Sequence, residues 1–172
     1  MSMEDAFQRL DASKEDDYYW VIPGKIAGRC GPDKKSWDLD ALWETGFRAI
    51  ASLHRLPPQE EQRMEDSRFE HLPAYAPPMV IDRPDLQEEF LDRAEKVFPF
   101  IDDQLEDDRP VLVHCYAGLD RSCCTIACYL VDREAYSAEE AIDRIYDVRP
   151  NAFVSPGYED AIRRFEASRT NS

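Results

Sequence analysis

The chain has 172 residues, of which 43% are apolar, and a formal net charge of −15. That length suits one domain with a sizeable core rather than two domains and a linker, and the apolar share excludes global disorder. Asp and Glu number 36 against 21 Lys and Arg, a balance that makes nucleic acid and anionic membrane poor partners.

Residues 1–17 are acidic and weakly periodic and read as an N-terminal arm, with the folded domain over 18–168. From Tyr18 to Gly28, YYWVIPGKIAG reads as an aromatic strand, a Pro-Gly turn and a second strand. Residues 36–46 carry Trp37, Leu39, Leu42 and Trp43 at helical spacing, and Gly46 is a natural helix stop. Phe47 to Leu53 is strand-like. HRLPPQEEQRMEDSR is a polar, Pro-broken loop or short helix, and FEHLPAY (69–75) alternates as a strand should.

After a loop with three prolines, Pro84 to Leu105 reads as one helix. Leu86, Phe90, Leu91, Ala94, Val97, Phe98, Ile101 and Leu105 share a face, and a kink is expected at Pro99. RPVLVHC (109–115) has the apolar pattern of a strand buried on both faces. An apolar helix follows from Arg121 to Arg133. Ser137 and Glu140 form a capping box for a helix to about Val148. Ser155-Pro156 opens a last helix through about Ala167, with Ala161, Ile162 and Phe165 inward. Strands, then alternating strand and helix, then helices make an α/β domain.

The longest largely apolar run, Cys123 to Val131, is too short to span a membrane, and MSMEDAFQRL lacks the pattern of an export signal. Five cysteines, at 30, 115, 123, 124 and 128, are odd in number and clustered. They suit a reduced, cytoplasmic protein better than a disulfide scaffold. The 16 Arg against 5 Lys, in so acidic a chain, fit a high-salt milieu.

The chemistry converges on His114-Cys115-Tyr116-Ala117-Gly118-Leu119-Asp120-Arg121-Ser122. A buried strand ends at Cys115, and Arg121 opens a helix. The loop between them aims backbone N–H groups inward at a helix N-terminus, which makes an anion site. Gly118 gives the freedom so tight a loop needs. A helix N-terminus and a neighbouring arginine favour a thiolate. Arg121 offers a planar fork for two phosphate oxygens, and Ser122 can hydrogen-bond the sulfur.

These residues resemble the signature of the cysteine-dependent protein tyrosine phosphatases: His-Cys, five residues, Arg, Ser. The resemblance is to the small atypical dual-specificity branch and extends over roughly residues 18–167, with WVIPGKIAG, FRAIASL, ACYLV and VRP (148–150) as flanking matches. It implies a central mixed sheet flanked by helices, with the phosphate-binding loop between a buried strand and a helix. It also implies a cysteinyl-phosphate mechanism in a monomer, without metal or other cofactor. Cys115 would be the nucleophile. Arg121, Ser122 and the Tyr116–Leu119 backbone would bind the substrate phosphate, and His114 would orient the loop. The substrate would be a phosphorylated protein, on phosphotyrosine and also phosphoserine or phosphothreonine, or a small phosphomonoester. Alternatives are a phosphate-binding module with little turnover, or an enzyme for phosphoinositides or other non-protein esters. No Lys stands in the loop to meet a polyphosphorylated head group.

The sequence departs from the family at the general acid. The position that relatives fill with Asp, after Leu72-Pro73, is Ala74. Asp120, in the Gly-x-Asp-Arg pattern of some relatives, is the favoured substitute, followed by Asp82 and then by Asp85 or no acid at all. Cys123, Cys124 and Cys128 read as packing residues of a buried helix rather than zinc ligands, with a regulatory disulfide to Cys115 as an alternative. His54 and His71 read as surface or strand residues, the acidic runs as solvated faces, and Arg149-Pro150 as a helix stop.

Overall fold

The computed structural model describes residues 18–78 and 83–170, so the N-terminal arm and Asp82 lie outside the described residues. Its sheet contains β1 (Tyr18–Ile22), β2 (Ile26–Arg29), β3 (Ala49–Ser52), β4 (Glu70–Pro73) and β5 (Val111–His114), in the order β1-β2-β5-β3-β4. β1 runs antiparallel to β2, and the other pairings are parallel. The period-two alternation of side chains sorts the apolar residues into two cores. Val111 and Val113 face one core with Ala49, Ala51 and Ile26, while Leu112, Ile50 and Ala27 face the other.

Helices α1 (Leu39–Thr45) and α2 (Pro58–Glu65) cover the smaller core, which holds Leu42, Met64, Trp37 and Phe47. Helices α3 (Pro84–Glu95), α4 (Phe98–Glu106), α5 (Arg121–Arg133), α6 (Ala138–Val148) and α7 (Tyr158–Thr170) contribute to the larger one. Helix α5 is buried along Arg121–Leu130 and packs on α6 and α7. The three cysteines of this helix are packing residues, as expected: Cys123, Cys124 and Cys128 are buried in the larger core. All five cysteines are free. No helix among the described residues is long and apolar enough to cross a membrane.

Two expectations need correction. The segment 84–105 is two helices rather than one kinked helix, and the break lies at Lys96–Val97. Pro99 cannot donate a backbone hydrogen bond, and it is accommodated in the first turn of α4, where no donor is needed. The apolar stripe crosses the break intact, because Phe90, Ala94, Val97, Phe98 and Ile101 are all buried. Gln87 is buried beside them, donating to Gly157 O and accepting from Arg164. The last helix starts at Tyr158, not at Ser155-Pro156. Gly157 has φ 107°, outside the helical region, so residues 155–157 turn before the helix begins.

The capping box of α6 is complete. Ser137 Oγ accepts from Glu140 N, and the Glu140 carboxylate accepts from Ser137 N. Ser137→Ala is expected to cost about 1 kcal/mol in urea unfolding, with anion binding at the β5–α5 loop unchanged. No change in stability would contradict this assignment of the cap.

Candidate active site

The loop of residues 115–120 leaves the C-terminal end of β5, between β2 and β3. Chain segments leaving β2 and β3 lead to helices over one core, whereas β5 leads to α5 over the other. The loop therefore sits at a topological switch point, where open α/β sheets form ligand crevices. Residues just beyond β2 and β3 flank it, because Arg29 and Ser52 pair in register with His114.

Cys115 is buried, and Gly118 N donates to its Sγ at 3.3 Å. Ser122 Oγ lies 3.4 Å from the same sulfur. Gly118 has φ 70°, and a Cβ there would stand 2.6 Å from Cys30 N and 2.7 Å from Arg29 C. Both the dihedral and the close backbone approach require glycine at this position. Tyr19 OH supports the turn from beneath. It donates to Gly118 O at 2.9 Å and lies 3.0 Å from Cys123 Sγ and 3.3 Å from Ser122 Oγ. Arg149, read from sequence only as a helix stop, stacks its guanidinium over the Tyr19 ring at 5.3 Å.

The other loop residues are tied down singly. Tyr116 O accepts from Gly31 N at 2.8 Å, and Leu119 O accepts from Phe153 N at 2.9 Å. The Tyr116 side chain is exposed, and Ala117 is half-buried. Asp120 precedes α5 without capping it by its side chain. One Asp120 carboxylate oxygen accepts from Ser155 N at 3.3 Å, and the other is buried without a hydrogen-bond partner among the described residues. A cavity of about 180 Å³ is lined by Cys115, Tyr116, Asp120, Arg121 and Tyr158, with Pro78, Ala117 and Ser155.

Arg121 is 7% exposed. Its NH1 donates to Ala76 O at 2.9 Å, and its NH2 lies 3.3 Å from His54 Nδ1. His54 Nε2 in turn meets Asp33 Oδ2 at 2.9 Å. Arg121 also borders a second cavity of about 350 Å³, whose lining includes Arg55, Arg93, His54 and Tyr75.

Beneath the loop runs a chain of neutral polar groups. His114 Nδ1 lies 3.1 Å from Cys115 O, and its Nε2 lies 2.6 Å from Ser52 Oγ. Ser52 Oγ lies 2.8 Å from His71 Nε2. Complete burial lowers the His114 imidazole to about 3, and burial lowers His71 as well. The same effect pushes the Cys123 thiol up to about 12.

A family model described as the dual specificity phosphatase catalytic domain matches residues 33–168. The chain belongs to the dual specificity phosphatase family. It is 24% identical over 168 residues to the mouse dual specificity protein phosphatase CDC14B, covering 88% of this chain and 32% of that one. It is 27% identical over 144 residues to the rat dual specificity protein phosphatase 12, covering 84% and 38% respectively. It thus spans about a third of the length of these curated relatives. Among solved structures, Tk-PTP in its active form superposes with a TM-score of 0.70 at 21% identity, covering 88% of this chain and 97% of that one. The fold is that of this dual-specificity family.

Set against the sequence reading, the structure brings Cys115, Asp120 and Arg121 to one cavity, with Ser122 and His114 against the Cys115 sulfur and carbonyl. It separates Asp85, which is exposed, paired with Arg83 at 2.9 and 3.1 Å, and part of a different cavity. The Arg83 contact lowers the Asp85 carboxyl, the wrong direction for a proton donor. Ala74 gives its N–H to Ser52 O and packs against the larger core. His54 is partly exposed just after β3, and it also contacts Arg121 and meets the Tyr116 ring at 5.5 Å. His71 lies on β4 as read, and its contact with Ser52 adds it to the support beneath the loop. Asp33, Ser52 and Tyr19, and the supporting role of His71, were missed, because each acts on the site from a distant strand or its connection.

The buried neutral His114 links stability to acidity. An ordinary histidine titrates at 6.5 and this one at about 3. Between those values the unfolded chain binds the extra proton, so this group's stabilisation is full above 6.5 and is lost as the pH falls. Unfolding free energies measured between about pH 6 and pH 4.5 should slope less in His114→Gln than in the parent, by about 1.4 kcal/mol per pH unit. Parallel slopes would contradict the neutral burial of His114.

Proposed function

We propose that the protein hydrolyses phosphomonoesters on phosphotyrosine, and also on phosphoserine or phosphothreonine, through a cysteinyl-phosphate intermediate. The observation that carries this reading is that Cys115 and Arg121 line one cavity, with Gly118 N already donating to the Cys115 sulfur. Cys115, as thiolate, attacks phosphorus as the ester P–O bond breaks. Loop amides from Tyr116 to Arg121 and the Arg121 fork stabilise the equatorial oxygens, whose charge is spread in the transition state.

Asp120 would give its proton to the leaving oxygen. A water then attacks the phosphocysteine, losing its proton to Asp120, while Ser122 hydrogen-bonds the departing sulfur. The Asp120 oxygen without a hydrogen-bond partner among the described residues supports this role, because Asp120 lines the same cavity as Cys115 and Arg121. Pro78 and Tyr158 give the cavity apolar walls suited to an aryl ester.

A second reading is supported by the adjoining arginine-lined cavity, which no carboxylate among the described residues borders. It favours small esters with further anionic groups, as in a phosphoinositide head group. PTPMT1, solved in complex with PI(5)P, shares the fold with a TM-score of 0.69 at 20% identity, covering 90% of this chain and 98% of that one. The lack of Lys in the loop and the charge of −15 keep this reading second.

Assays on aryl phosphates, phosphopeptides and inositol phosphates test the order. Phosphotyrosine peptides should be turned over fastest, and Cys115→Ser should turn over none. Asp120→Asn should lose about 100-fold or more with poor leaving groups and far less with good ones. Equal losses on both would move the acid elsewhere. Parent protein that binds phosphopeptide without hydrolysing aryl phosphate would reduce it to a binding module, the outcome that Ala74 at the family's acid position favours.

A further inference from the structure

We propose that Asp33 and His54 are positioning residues for Arg121, a relay that fixes the guanidinium fork for the phosphoryl group in its transition state. The inference rests on the phosphatase reading of the cavity above. A guanidinium can only donate hydrogen bonds. Arg121 NH2 faces His54 Nδ1 at 3.3 Å, so Nδ1 must accept. The ring proton then sits on Nε2, which donates to Asp33 Oδ2 at 2.9 Å. The carboxylate thereby selects the one neutral tautomer that can receive Arg121.

Arg121 NH1 meanwhile donates to Ala76 O at 2.9 Å. Contacts on both terminal nitrogens hold the plane of the fork and leave the remaining N–H groups of the guanidinium for an anion. Neither relay residue belongs to the loop. Asp33 lies in the connection from β2 to α1, and His54 lies just after β3. Each of these connections also touches Tyr116, through Gly31 N at 2.8 Å and the His54 ring at 5.5 Å. The relay therefore ties both ends of the loop to the C-terminal edge of the sheet.

Holding a fork in one plane favours a trigonal arrangement of three oxygens over a tetrahedral ion. Vanadate, which adopts the five-coordinate geometry of phosphoryl transfer, should therefore report the relay more strongly than inorganic phosphate. Calorimetric titration of the intact chain with each anion tests this without turnover. His54→Leu is expected to weaken vanadate by about tenfold and phosphate by clearly less. His54→Asn, whose side-chain carbonyl can stand where Nδ1 stood, should recover most of the loss. Asp33→Ala should fall between, and adding it to His54→Leu should weaken vanadate no further, because Asp33 acts through His54.

Equal losses for the two anions, no recovery by Asn, or additive losses in the double variant would overturn the relay. So would a parent that binds neither anion. Should His54→Leu fail to fold, His54→Asn and Asp33→Ala carry the comparison. Failure of the parent to hydrolyse an aryl phosphate would sink the phosphatase reading separately, since the titrations do not depend on turnover.

Discussion

Between Cys115 and Arg121 the backbone must fold back on its own sulfur, and the rest of the site depends on that reversal. Gly118 makes it possible, with φ 70° and with no room for a Cβ against Arg29 and Cys30. The amide at the reversal donates to the sulfur, and the carbonyl accepts from the buried Tyr19 hydroxyl. The loop is thus held through its own backbone groups, with the buried Tyr19 hydroxyl as the outside contact on the Gly118 carbonyl. This is the kind of preorganisation that electrostatic catalysis requires, because the donors are in place before charge develops.

Two polar systems flank that reversal, and they differ in kind. Below it, His114, Ser52 and His71 pass hydrogen bonds between neutral groups, with His114 and Ser52 fully buried. Such a chain can fix the Cys115 carbonyl without placing a competing charge under the anion site. Above it, the charged Arg121 emerges from the N-terminus of α5 and is steadied by Ala76, His54 and Asp33. Neutral support within and charged contacts at the cleft follow the cost of burying unpaired charge. The Cys123 and Cys124 thiols of α5 are pushed up by the same burial, Cys123 to about 12.

The nine residues from His114 to Ser122 were legible in the sequence because their chemistry is local: strand end, turn, helix start. The boundaries of α5 and α6 were legible for the same reason, the latter through its capping box. The break before Pro99 was misplaced because a continuous apolar stripe hides it, and Gly157 was overlooked as a turn that delays α7. The support of the loop was not legible. Asp33, Ser52, His54 and His71 reach it only through strand order β2-β5-β3-β4, a long-range pairing that leaves no spacing signal. Ala74, which the sequence reading set at the family's acid position, packs half-buried against the larger core.

The central claim is that the sulfur of Cys115 takes the phosphoryl group. Rapid acid quenching of the parent with an aryl phosphate, followed by proteolysis and mass spectrometry, measures this most directly. The account predicts the mass of one phosphoryl group on the peptide containing Cys115, formed and consumed at rates consistent with turnover. Turnover with that peptide unmodified, or with the phosphoryl group on another residue, would contradict it.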